Sequence, residues 1–243
     1  MPPFLRTLFE TVIGLILIAV IWVIAAVVVN DPVRLPNLPA VLSKVIQLSE
    51  NPDYQRHVVE SVSALALGLP AALVVGVGVG LIAGLSPGLR WVLGPLVVVL
   101  AAAPMVVMMP VFIVWWGLLP ATKAAAIFVV AAFPVMNMVM VATAAGHKQV
   151  HYVRRDRQPM PLRDPGRGMP ATIIGSLRLG VMLGVTGLVL SEFLASTRGV
   201  GYFIMNTASM FDTTGTMAGI VLIVVPTVLV VALLQAIEEQ VAR

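Results

Sequence analysis

The sequence predicts an all-α, polytopic integral membrane protein, a single domain over residues 1–243 with about six transmembrane helices. Three observations carry that expectation. The chain is 59% hydrophobic and 11% charged, whereas a soluble domain is roughly 25% charged, and a water-soluble fold cannot hide so much apolar surface. Apolar runs recur at the length that crosses a hydrocarbon core, about 20 residues. The charge is gathered between those runs: residues 146–170 alone hold Lys148, Arg154, Arg155, Arg157, Arg163 and Arg167 out of 15 Lys and Arg.

Composition also excludes chemistry. The mean hydropathy is +1.02 and the sequence pI is about 10.0. In such a chain a net charge of +4 reads as loop topology rather than nucleic-acid affinity. There is no Cys, which removes disulfides, thiolate metal sites and cysteine nucleophiles. The three His residues, His57, His147 and His151, are too scattered for a metal cluster.

The first expected span is 11–29, about 28 Å long as a helix. A cleaved signal peptide competes with it, but the run is long for that role. Asn30-Asp31-Pro32 follows without a small-x-small cleavage site. Residues 30–60 form a polar, extracytoplasmic segment in which 40–50 has apolar positions at helical spacing, as in a short interfacial helix. The second span is 61–85. Its Gly76, Gly80 and Gly84 repeat every four residues, leaving one helix face bare for close packing. The pattern Gly84-Leu85-Ser86-Pro87-Gly88 matches a hydrolase nucleophile turn, but a helix precedes it and Pro follows the Ser, so it reads as a turn.

The third span, 92–116, carries Pro95, Pro104 and Pro110, each removing a backbone donor. A broken segment in lipid must be buried against protein or line a wet cavity. Pro104 and Pro110 are therefore candidate pathway-lining residues, against a simple kink. Trp91 at one end and Trp115 and Trp116 at the other suit the two membrane interfaces. The fourth span, 121–145, has Asn137 at its middle, which is either pathway-lining or an interhelical hydrogen-bonding residue. The fifth, 171–195, carries Arg178 about two turns in and Glu192 near its far end. Both are expected to face protein or headgroups. Glu192 is a further pathway candidate, but a proton relay there needs an intramembrane partner, and none is evident. A polar connection, 196–215, precedes the sixth span, 216–236.

Six spans put both termini on one side. If that side is cytoplasmic it holds Arg6, Arg90, the six loop cations and Arg243, against Arg34, Lys44, Arg56, Lys123 and Arg198 outside. The positive-inside rule then places 146–170 in the cytoplasm. There is no phosphate-binding Gly-rich loop, no H-E-x-x-H and no paired intramembrane carboxylates, so the chain is not expected to be an enzyme. A channel, a secondary carrier or the membrane subunit of a transporter with a separate ATPase remain.

The order of features narrows this. Pro104 and Pro110 precede the aromatic segment 112–117. Ser176-Leu177-Arg178-Leu179 follows the basic loop, and Ser191-Glu192-Phe193 is followed by Arg198-Gly199-Val200-Gly201-Tyr202. Over about residues 39–239 this resembles the binding-protein-dependent ABC transporter permeases of the nitrate, sulfonate and taurine type. The resemblance implies a type I importer architecture in the bacterial cytoplasmic (inner) membrane. It implies a homodimer of permeases, a cytoplasmic ABC ATPase, an extracytoplasmic solute-binding protein, and membrane lipid around the spans. No cofactor is implied in this chain, since ATP would be bound by the partner ATPase. The cargo would be a small solute, such as a sulfonate, a nitrate-like anion or a related small organic compound.

The resemblance places an ATPase-coupling loop at 146–170. The family pattern there is E-A-A, three residues, Gly, nine residues, an aliphatic residue, one residue, then Leu-Pro. Counting back from Met169-Pro170 puts His151, Tyr152 and Val153 at E-A-A, Arg157 at the Gly and Arg167 at the aliphatic position. Only the final Met-Pro follows the pattern. Arg154 and Arg155 lie in the same stretch. Such a loop has diverged toward a particular ATPase, belongs to a decayed or uncoupled permease, or reflects a locally shifted and restored reading frame. A self-sufficient channel or secondary carrier is the alternative outside the family.

Overall fold

The computed structural model describes residues 3–103, 105–156 and 165–241. Among them are nine α-helices and no strand: α1 (Pro3–Val29), α2 (Leu38–Glu50), α3 (Pro52–Leu85), α4 (Pro87–Ala102), α5 (Met109–Trp116), α6 (Pro120–Asp156), α7 (Pro165–Leu194), α8 (Val200–Ser209) and α9 (Thr213–Val241). Five of them, α1, α3, α6, α7 and α9, are long and apolar enough to cross a membrane, and α4 is a shorter apolar helix. The chain is a multi-pass membrane protein whose regular structure, among the described residues, is all helical.

α6 is the centre of the bundle, packed along α3 on one side and α7 on the other. The bare face of α3 explains the first contact. A Cβ built on Gly68 would lie 2.8 Å from the Ala124 carbonyl oxygen, on Gly76 2.9 Å from that of Ala132, on Gly80 2.8 Å from that of Met136 and on Gly84 2.8 Å from that of Met140. No Cβ is tolerated at those distances, so glycine is what lets the two backbones touch. The partners advance together along both helices, which makes α3 and α6 parallel. The expected stripe at 76, 80 and 84 is real, and it continues back through Ala72, fully buried, to Gly68. On the other side α7 runs antiparallel to α6: a Cβ on Gly187 would meet the Ala126 carbonyl at 3.0 Å, while one on Gly175, nearer the start of α7, would meet the Met138 side chain at 3.2 Å.

α1 and α9 form the outer layer. Trp22 Nε1 donates to the Pro36 carbonyl at 3.0 Å, and the Thr7 hydroxyl donates to Glu239 at 3.1 Å, so α1 is pinned near both ends. At the end of the bundle that holds the α6–α7 connection, Arg178 Nε lies 3.2 Å from a Glu238 carboxylate oxygen, joining α7 to α9. Arg178 thus faces protein.

Several boundaries differ from the sequence reading, for local reasons. α3 starts at Pro52, inside the segment expected to be a polar connection over 30–60. The Asn51 side chain accepts from the Asp53 and Tyr54 N–H groups, and Pro52 sits where no N–H is needed. α2 occupies the short helical stretch expected over 40–50. Ser86 caps α4 through the Leu89 N–H with Pro87 following, so the hydrolase-like pattern is a helix junction. The crossing expected over 92–116 is divided into α4, a 3-10 turn at Met105–Met108, and α5. Pro110 stands in the first turn of α5, where a missing donor costs nothing. The polar connection expected over 196–215 contains a docked helix, α8, whose Val200 and Ile204 are buried beside Val41, Leu48, Tyr54 and Ala218. Around the basic loop, α6 continues past 145 to Asp156 and α7 begins at Pro165. Intrahelical hydrogen bonds do not stop where the hydrocarbon does, so a change of polarity fixes a span end but not a helix end.

Candidate functional site

At the opposite end of the bundle from the α6–α7 connection, four elements converge on one buried polar cluster. α3 contributes His57, Glu60 and Ser61, with His57 and Ser61 one turn apart on the same face. α6 contributes Lys123 in its first turn, α7 contributes Glu192 in its last, and the turn between α7 and α8 contributes its backbone.

Lys123 is 1% exposed and Glu192 is 0% exposed. The Lys123 ammonium has three N–H bonds and three oxygens around it: the Arg198 carbonyl at 2.7 Å, Glu60 Oε1 at 3.3 Å and Glu192 Oε1 at 3.5 Å. The Ser61 hydroxyl donates to Glu192 Oε1 at 2.7 Å. A buried charge without such partners would be prohibitive in a membrane protein. Here each ion is the reason the other is tolerated.

The same side chains finish α8. The first N–H groups of a helix have no intrahelical acceptor, and Gly199, the residue ahead of α8, has no side chain to cap them. Four successive N–H groups are received from elsewhere. Arg198 N–H donates to Ser196 Oγ at 3.1 Å, Gly199 N–H to His57 Nδ1 at 3.0 Å, Val200 N–H to Ser61 Oγ at 2.8 Å and Gly201 N–H to Glu192 Oε2 at 2.8 Å. A carboxylate at this place also meets the positive end of the α8 dipole.

That arrangement explains the glycines. Gly199 has φ +130, a conformation L side chains rarely adopt, and a Cβ there would collide with the Glu192 carboxylate. A Cβ on Gly201 would lie 2.9 Å from the Glu192 Cβ. Glu192 occupies the space that two side chains would need, so Ser191-Glu192 and Gly199-Val200-Gly201 form one structural unit. Among the described residues no group of three or more His, Cys, Asp or Glu could hold a metal ion. What the cluster can do is lock the α7–α8 turn to α3 and α6.

The other site candidates stay apart from it. Asn137 is half-buried on α6, about 21 Å along the helix from Lys123, and has no side-chain hydrogen bond to another described residue. Pro110 is exposed. His151, Tyr152, Val153, Arg154 and Arg155 lie on the last turns of α6, and Met169 and Pro170 in the first turns of α7. The Met169 sulfur accepts from the Thr143 hydroxyl at 3.8 Å, tying the α7 start to α6. Pro104 and Arg157 lie outside the described residues. Of the candidates, only Glu192 belongs to the cluster.

The absence of a partner for Glu192 is corrected by Lys123, which stands inside the bundle rather than in an outer loop. Pro120 starts α6 three residues earlier, so the first turn carries Lys123 to the depth of Glu192. A signal was present: an acidic residue at one end of an apolar span calls for a cation at the same end of a neighbouring span. Ser61 and His57 carried no such signal, because their roles depend on where α8 begins.

No protein-family profile matches the chain. Curated relatives do. The chain is 27% identical over 240 residues to the taurine transport system permease protein TauC of Escherichia coli (strain K12), covering 93% of this chain and 85% of that protein. It is 25% identical over 235 residues to the formylaminopyrimidine transport permease protein ThiX of Halalkalibacterium halodurans, covering 95% and 93%. It is 26% identical over 216 residues to the putative aliphatic sulfonates transport permease protein SsuC of Bacillus subtilis (strain 168), covering 86% and 78%. All three relatives are named as transport permeases.

Proposed function

We propose that this chain is the membrane-spanning permease subunit of an ATP-binding cassette importer that moves a small solute across the cytoplasmic membrane. The observation that carries this is similarity to transport permeases along 86–95% of the chain, in a protein with five helices long and apolar enough to cross a membrane among its described residues. Hydrolysis of ATP belongs to a separate cytoplasmic ATPase, and capture of the solute to an extracytoplasmic binding protein. The permease works as a homodimer, because five long apolar helices and one divided crossing are few to enclose a pathway.

The relatives are named for taurine, aliphatic sulfonates and formylaminopyrimidine. We assign this chain a cargo of the same size and polarity, a small sulfonate or related organic compound. The orientation follows from charge. Burial of Lys123 takes it out of the outer loops, which sharpens the bias to nine Lys and Arg on the side of 146–170 against four on the other. Both termini and the α6–α7 connection are therefore assigned to the cytoplasm. The Lys123–Glu192 cluster then lies at the extracytoplasmic end.

The residues about 146–170 are assigned to ATPase contact, with His151, Tyr152, Val153, Arg154, Arg155, Arg157, Met169 and Pro170 as the contacting stretch. Their departure from the family pattern favours a second reading, a permease that has lost its coupling. Affinity purification from the native membrane followed by mass spectrometry separates the two. An ABC ATPase is expected in the complex, and the complex in proteoliposomes with the binding protein should take up solute only with ATP. Recovery of the chain without an ATPase would leave the uncoupled reading. Solute flux by the chain alone would make it a carrier or channel.

A further inference from the structure

The cap that starts α8 contains one group whose hydrogen-bonding sense depends on a proton. The Gly199 N–H stands ahead of α8, where the helix supplies no acceptor, and donates to His57 Nδ1 at 3.0 Å. That nitrogen therefore carries a lone pair, and the imidazole is neutral with its proton on Nε2. The ring is held in place: it stacks on Tyr202 with centroids 5.9 Å apart and lies against Phe203 at 6.0 Å. Three side chains reach the start of α8 from α3 and α7. Ser61 and Glu192 are buried, whereas His57 is only partly buried, so it is the one of the three open to protons from solvent.

We propose that His57 is a proton switch for the α7–α8 turn, which loosens when the imidazole takes up a proton. A protonated imidazole donates from both nitrogens, so Nδ1–H and the Gly199 N–H would face each other as two donors and the bond is lost. Ser61 and Glu192 still receive Val200 and Gly201, so the response is a loosening of the turn rather than loss of the helix. The sign follows from linkage. The closed turn has its full stability above the ordinary imidazole value of about 6.5 and loses it as the pH falls below. The charges around His57 are balanced. Asp53, Tyr54 and Glu60 lie on its own helix, Lys123 on α6, Glu192 on α7 and Arg198 in the turn, while α8 brings only the uncharged Tyr202. Asp53 pairs with Arg56 at 3.4 Å, and Lys123 with Glu60 and Glu192 at 3.3 and 3.5 Å. Three carboxylates thus stand with three cations, and the hydrogen bond is what protonation breaks. The inference does not depend on which solute the protein carries, or on whether it carries one.

Hydrogen–deuterium exchange of the full chain in lipid nanodiscs, read by mass spectrometry on peptides covering 197–204, tests it. When only the open turn takes the proton, at the ordinary value of about 6.5, its opening equilibrium grows about tenfold between pH 7.5 and pH 5.5. His57→Asn is the comparison, because its amide oxygen stands where Nδ1 stood and accepts throughout this range. Dividing the native rate by the variant rate at each pH cancels the intrinsic pH dependence of exchange and the titration of the neighbouring carboxylates. That ratio is expected to rise about tenfold from pH 7.5 to pH 5.5. A ratio that changes less than about twofold overturns the proposal, whether both chains respond to acid or neither does. If His57→Asn does not fold, the native chain alone decides. Its rate over 197–204 divided by that over 86–95, a stretch without His at the other end of the bundle, should show the same rise, and a flat ratio overturns the proposal.

Discussion

Lys123 and Glu192 are each tolerable only because of the other, and this makes their single and double substitutions informative. Lys123→Met leaves a buried carboxylate beside Glu60 with no cation, a loss of about 3–5 kcal/mol for pairs of this kind. Glu192→Gln keeps acceptor and donor atoms for Gly201 and Ser61 while removing the charge. The combined Lys123→Met, Glu192→Gln protein is expected to be more stable than Lys123→Met alone, measured as the midpoint of thermal unfolding in detergent by size-exclusion chromatography. A double variant no better than the single would mean that the ionic contact at 3.5 Å contributes little beside the hydrogen bonds. At this scale the sequence was half legible. Glu192 stood out because charge in an apolar run is rare, and Lys123 did not, because it lies where a loop would also end. The cap on α8 depends on His57 and Ser61 of α3 and Glu192 of α7, and no spacing in the chain records that.

At the scale of elements, periodicity was the reliable guide. Glycines every four residues in α3 announced a close contact, and the carbonyls of Ala132, Met136 and Met140 supply it. Gly80→Val should therefore separate α3 from α6, with an overpacking cost of about 1–3 kcal/mol and a matching drop in the unfolding midpoint. Gly78→Val, where an added Cβ meets nothing within 4 Å, is the control and should behave as the native chain. Equal losses from both would point to glycine flexibility rather than to packing. What periodicity could not give was the fate of polar stretches. Residues 51–60 and 196–215 read as connections because they lack long apolar runs, yet the start of α3 and α8 form there. Short helices with one buried stripe are decided by what they dock against, and for α8 that surface is assembled from Val41, Leu48, Tyr54 and Ala218.

For the whole molecule, the absence of Cys makes topology directly measurable with single cysteines. Thr197→Cys, exposed in the α7–α8 turn, should react with a membrane-impermeant maleimide in right-side-out vesicles. Gly88→Cys, exposed at the start of α4, should react only after permeabilisation. The reverse pattern would invert the assigned orientation, and with it the side on which an ATPase must be sought. The bundle also carries a timetable. α8 draws its cap from His57, Ser61 and Glu192, and the ammonium that steadies Glu192 comes from Lys123. Every one of these residues leaves the ribosome before α8 does, so a chain inserted from its N-terminus has the receiving groups in place before the helix that uses them arrives. α8 then meets a cap already waiting, and α9, whose Ala218 packs against it, closes over it afterwards.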